Sequence, residues 1–150
     1  ASLDDLYRQI ILDHYRNPRN KGVLPPPATS VEGFNPLCGD QLTLYIDSDG
    51  NKINNVAIES TGCSISQASA SLMTVAIKDK SLAEVNDIIH AFKHLLGIED
   101  EPSAEVKLGD LEALSGVAKF PVRIKCATLA WNALVQAIET PEKETPATTE

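Results

Sequence analysis

Apolar positions change their spacing along this chain, and each change marks an element. Leu3, Leu6, Tyr7, Ile10 and Ile11, then His14 or Tyr15, recur every three or four residues. That spacing predicts an amphipathic helix from about Leu3 to Arg16, opened by a weak Ser2/Asp5 capping box and stopped at Asn17-Pro18. The three consecutive prolines of LPPPATS (24–30) fix φ and remove backbone donors, so this stretch is an extended connector. It leads into a short strand around Ser30 to Gly33. From Gln41 the period is two: Leu42, Leu44 and Ile46 alternate with Thr43, Tyr45 and Asp47, DSDGN supplies a turn, and Ile53, Val56 and Ile58 return. This predicts an antiparallel hairpin.

After TGCSIS the helical period resumes through Ile65, Ala68, Leu72, Val75 and Ala76, which places Cys63 at a strand-to-helix corner. Ser81 with Glu84 is a capping box for a helix through Val85, Ile88, Ile89, Phe92, Leu95 and Leu96, ended by Gly97. IEDEPSAEVKLGD is acidic and irregular, and LEALSG makes a helical turn or two. Pro121 then starts a last helix that carries apolar residues to Ile138. The tail TPEKETPATTE lacks apolar residues beyond Ala and Pro and is expected to be disordered. A chain of 150 residues closes about one hydrophobic core, so one domain over 1–139 with a tail over 140–150 is expected.

Composition narrows the function classes. The chain is 43% hydrophobic and 23% charged, and no run approaches the roughly 18 apolar residues that would span a bilayer. With no such run, a membrane is not an expected partner, and the 13 basic and 21 acidic residues leave a formal charge of -8, a field that repels phosphate backbones, so nucleic acid is not one either. The acidic start ASLDDLYRQ lacks the basic and apolar regions of a secretory signal, which predicts a cytoplasmic protein. Three cysteines cannot all pair within the chain, which leaves packing, metal ligation or reactivity as their uses.

His90 and His94 stand four apart on one helix, a spacing able to hold zinc, but both fall about 160° from the centre of the helix's apolar face and read as solvated. His14 reads as a boundary residue of the first helix. The cysteines are placed differently. In extended backbone, Cys38 and Asp40 of NPLCGDQ would point to one face, with Gly39 allowing close approach. Cys63 precedes a first helical turn and Cys126 lies in the second turn after Pro121, near the positive end of a helix dipole that favours thiolate. Arg123 and Lys125 add positive charge beside Cys126. Three thiolates and one carboxylate suit Zn²⁺, yet the cysteine spacing matches no finger pattern, and lone cysteines also serve as small core residues.

LYRQIILDHYRNPRNKG at the start, NPLCGD at 35–40, GCSISQASASLMT at 62–74 and FPVRIKCATLAW at 120–131 closely resemble the SufU proteins. These form the zinc-binding branch of the U-type (IscU/NifU N-terminal-like) iron-sulfur cluster assembly family. The blocks fall in the family's order and cover most of the chain. In IscU-type relatives a histidine precedes the third cysteine and the preceding interval is shorter. Here Lys125 takes that place, and residues from about 81 to 110 form an insertion.

The resemblance implies an α/β (α+β) fold of the SufE/NifU type, a small three-stranded antiparallel sheet packed against several helices. It implies a zinc-dependent sulfur acceptor and sulfurtransferase that receives persulfide sulfur from a PLP-dependent, SufS-like cysteine desulfurase and serves downstream SUF assembly components. Carried over residue by residue, Cys38, Asp40, Cys63 and Cys126 would hold one Zn²⁺ per chain. Cys38 would be the catalytic acceptor, freed when a desulfurase histidine takes its place on zinc. Arg123 and Lys125 are either partner-binding charges or solvated helix residues; cations at a helix N-terminus oppose the dipole and so call for another reason. Two alternatives remain open: a scaffold of the IscU type carrying a transient iron-sulfur cluster, and a binding protein with purely structural zinc.

Overall fold

The computed structural model describes residues 3–100, 105–140 and 146–148. Helix α1 (Leu3–Arg16) is followed by strands β1 (Thr29–Asn35), β2 (Asp40–Ser48) and β3 (Ile53–Thr61), then helices α2 (Ser64–Ile77) and α3 (Leu82–Leu95). A 3₁₀ segment (Gly109–Lys119), helix α4 (Pro121–Glu139) and strand β4 (Ala147–Thr148) complete the order. Ser2, the proposed first cap, lies outside the described residues, as do 101–104, 141–145 and 149–150.

The sheet runs β3-β2-β1-β4, antiparallel across the first three strands and parallel between β1 and β4. Strict alternation in β2 turns Leu42, Leu44 and Ile46 to one face, where they meet Val31 of β1 and Ile53, Val56 and Ile58 of β3 in the core. Four strands stand where three were expected. The fourth comes from the tail: Gly33 and Phe34 pair with Ala147 and Thr148, and Asn132 Nδ2 donates to the Thr148 carbonyl at 3.0 Å. Two residues carry no period, so the sequence held no signal for this strand.

Helices α2 and α4 lie on the apolar face of the sheet. A Cβ at Gly33 would come within 3.1 Å of Leu42 Cδ1 and 3.3 Å of Leu129 Cδ1, so glycine lets α4 approach β1 closely. Ser69 of α2 donates to the Ala127 carbonyl of α4 at 2.6 Å and accepts from Trp131 Nε1 at 3.1 Å. The two helices are thereby fixed in register. Phe92 of α3 stacks on Trp131 with ring centroids 4.3 Å apart. Ser81 and Glu84 form the reciprocal cap expected for α3.

His14 is buried, with Nδ1 2.8 Å from Ser71 Oγ, and this contact ties α1 to α2. Burial pushes its pKa below the ordinary 6.5, so it is held as the neutral imidazole. Among the described residues, no helix is long and apolar enough to cross a membrane.

Candidate metal centre

Three chain crossings meet at one end of the sheet. The β1–β2 connection is a four-residue turn closed by the Asn35/Asp40 pair, with Gly39 N donating to the Asn35 carbonyl at 2.8 Å. Cys38 lies in that turn and is exposed, while Asp40 opens β2 and is buried. The two converge because the hairpin doubles back; the alternation of an extended strand, expected from sequence, is not what brings them together. Gly39 adopts φ +72°, the left-handed conformation this turn needs.

Cys126 reaches the same point from α4, its Sγ 3.4 Å from Cys38 Sγ. Ligand atoms of Cys38, Asp40 and Cys126 all lie within 4.8 Å of one another. Cys63 stands beside this trio, Sγ 4.0 Å from Asp40 Oδ2, and caps α2 by accepting from Ser66 N at 3.4 Å. Its place at a helix N-terminus is the one the sequence predicted.

Two residues of the site escaped sequence reading. Asn35 is buried; its Oδ1 accepts from Leu37 N at 3.1 Å, and its Nδ2 points to Asp40 Oδ2 at 3.3 Å and Cys126 Sγ at 3.8 Å. The amide therefore orients a carboxylate and a thiol at once. Gly62, at φ +139°, leaves the space that Asp40 fills: an added Cβ would collide with Asp40 Oδ1 and lie 2.8 Å from its Cγ. The adjacent Cys63 N donates to Asp40 Oδ1 at 2.9 Å. The signal for Asn35 was its place in NPLCGD, where a buried Asx turn is indistinguishable from a solvent loop.

Cys126 departs from expectation. It is the sixth residue of α4, past the free N–H groups of the first turn, and it is buried. Burial first, then hydrogen bonding to Cys38 and Cys63, push its thiol far above the usual range, and the Asp40 charge adds to this. Without a cation its surroundings oppose the ionisation of Cys126. A sulfur-rich set with one fixed carboxylate, an amide aimed at two donors, and space kept by a glycine together fit a borderline-soft divalent ion such as Zn²⁺. Gly62→Ala is expected to displace Asp40 and weaken metal binding by about tenfold, measured by competition with a chromophoric chelator; unchanged affinity would contradict the role given to Asp40.

Arg123 is exposed, its guanidinium carbon 5.6 Å from the Phe120 ring centroid, and Lys125 is half-buried on the same first turns of α4. Neither is among the donors. Phe120 and Val122 are each more than half exposed, as is Leu37 in the cysteine-bearing turn.

The NifU-like N-terminal domain model matches residues 6–127. The chain belongs to this family. It is 50% identical over 139 residues to the zinc-dependent sulfurtransferase SufU of Bacillus subtilis strain 168, covering 92% of each chain. It is 42% identical to the iron-sulfur cluster assembly scaffold protein IscU of Streptococcus pyogenes serotype M1, covering 93% of this chain and 86% of that one. Among solved structures, a SUF-system scaffold protein described as putative, from Fervidobacterium islandicum AW-1, matches with TM-score 0.78 and 32% identity over 92% of this chain and all of that one. NifU-like family membership thus bears out the α+β fold and the resemblance to SufU.

Proposed function

We propose that this protein is a zinc-dependent sulfur acceptor and sulfurtransferase of iron-sulfur cluster assembly, acting in the cytoplasm with a PLP-dependent cysteine desulfurase. The observation that carries the reading is an exposed Cys38 thiol on a turn, set against the buried pair Asp40 and Cys126. An acceptor must be reachable by a partner, and its supporting groups must stay fixed. The 50% identity to a zinc-dependent sulfurtransferase supports the same reading.

Cys38, Asp40, Cys63 and Cys126 are the residues that would hold the ion. Bound there, zinc supplies the positive charge that keeps these thiols ionised near neutral pH. Cys38 then acts as the nucleophile: its thiolate attacks the outer sulfur of the desulfurase persulfide, a new S–S bond forms at Cys38 Sγ, and the old one breaks. The electron pair leaves on the desulfurase thiolate, so the sulfur moves with no net oxidation or reduction. Cys38 next passes that sulfur to a downstream SUF component by the same exchange. Leu37, Phe120 and Val122 offer apolar contact around the turn, and Arg123 and Lys125 supply the charge for docking the desulfurase.

The scaffold alternative draws on the 42% identical IscU relative. Against it stands the lack of a histidine near the donors: the chain has three, with His14 bonded to Ser71 and His90 and His94 to Glu99. Zinc-loaded protein and protein reconstituted anaerobically with iron and sulfide, each mixed with desulfurase and cysteine, separate the two. Colourless zinc protein is expected to accelerate alanine release. A stable brown cluster, with no acceleration by the zinc form, would favour the scaffold.

A further inference from the structure

The second candidate donor group lies on α3, away from the cysteine turn. His90 Nδ1 stands 2.8 Å from Glu99 Oε2, and His94 Nδ1 stands 3.1 Å from the Glu99 carbonyl oxygen. Four-residue spacing puts the two rings on one helix face, with Cβ atoms roughly 5–6 Å apart, and both are turned toward the same residue beyond the helix end. Carboxylate and carbonyl oxygens only accept hydrogen bonds, so each neutral ring carries its proton on Nδ1. Each Nε2 then holds a free lone pair.

From this we infer a surface site for a first-row divalent transition ion, held by His90 Nε2 and His94 Nε2 and completed by water. A carboxylate or carbonyl behind a histidine fixes its tautomer and ring orientation, and Glu99 does this for both rings. Two imidazole nitrogens select Zn²⁺, Ni²⁺ or Cu²⁺ over Mg²⁺ and Ca²⁺, which require oxygen. Both histidines are exposed, so an ion reaches them without rearrangement of the core, and the chain's net charge of -8 draws cations toward it. Asp87 shares the face one turn earlier, and Lys93 lies about 100° around the helix from His94. The sequence placed this pair on a solvated face, and it is on one; the alignment by Glu99 is what the spacing could not reveal.

The test titrates the zinc-loaded chain with Ni²⁺, counting bound nickel by native mass spectrometry and following the imidazole signals by NMR. One nickel beyond the resident zinc is expected, with broadening at His90 and His94. In His90→Gln/His94→Gln the extra nickel should vanish while zinc content and far-UV circular dichroism stay unchanged. Glu99→Ala should weaken nickel binding by about tenfold. No extra nickel, or an extra nickel that survives the double histidine variant, overturns the site; wild-type affinity in Glu99→Ala overturns the orienting role of Glu99. The cysteine donors are untouched throughout, so the outcome is independent of sulfur transfer.

Discussion

Cys126→Ala is expected to release zinc from the protein while leaving the fold in place. Four donors share an apparent binding free energy of about 10–16 kcal/mol in structural zinc sites, so losing one should cost about 3 kcal/mol, or roughly 10²-fold in affinity. Cys126 is the donor for which this test is sharpest. It is 3% exposed and could be read as a packing residue, a role alanine largely keeps. Burial and the neighbouring thiols hold its own thiol protonated, so only a cation gives it reason to ionise. Zinc content after gel filtration, and affinity by chelator competition, decide between the roles. Wild-type affinity in Cys126→Ala would make this thiol a core residue and no more.

Trp131→Ala should lower stability by about 3–5 kcal/mol, the usual cost of emptying a large aromatic site. Trp131 is fully buried, stacks on Phe92 and donates to Ser69. Its loss therefore leaves a cavity between α3 and α4 and removes a hydrogen bond between α2 and α4. Urea unfolding followed by far-UV circular dichroism, at one fixed zinc concentration because bound metal adds stability, gives the value. The melting temperature should fall by roughly 10 °C. Trp131→Phe keeps a ring against Phe92 and should cost about 1–2 kcal/mol, mainly the lost hydrogen bond. A change below about 1 kcal/mol in Trp131→Ala would mean that the core is organised elsewhere.

Much of this architecture is written in local periodicity. The two-residue alternation of Leu42, Leu44 and Ile46, the capping box at Ser81 and the proline before α4 each act within a few residues, and each element forms where they indicate. Strand β4 does not work that way, because Ala147 and Thr148 become a strand only through β1 and Asn132. The site divides along the same line. Cys38 and Asp40 stand two positions apart in one short motif, and the helix-terminal place of Cys63 was legible. The roles of Asn35 and Gly62 arise only where turns from distant segments touch Asp40. Burial of Cys126 likewise depends on how α4 packs, which is why a dipole argument from Pro121 misjudged its environment.

The central claim is that Cys38 receives the sulfur while the other three donors keep the ion. Zinc-loaded protein, incubated with desulfurase and cysteine and digested under non-reducing conditions, should show by mass spectrometry one added sulfur atom on the peptide bearing Cys38. Cys63 and Cys126 should carry none, and Cys38→Ser should abolish the modification. Persulfide on Cys63 or Cys126 in the wild type, or sulfur accepted unchanged by Cys38→Ser, would contradict the account.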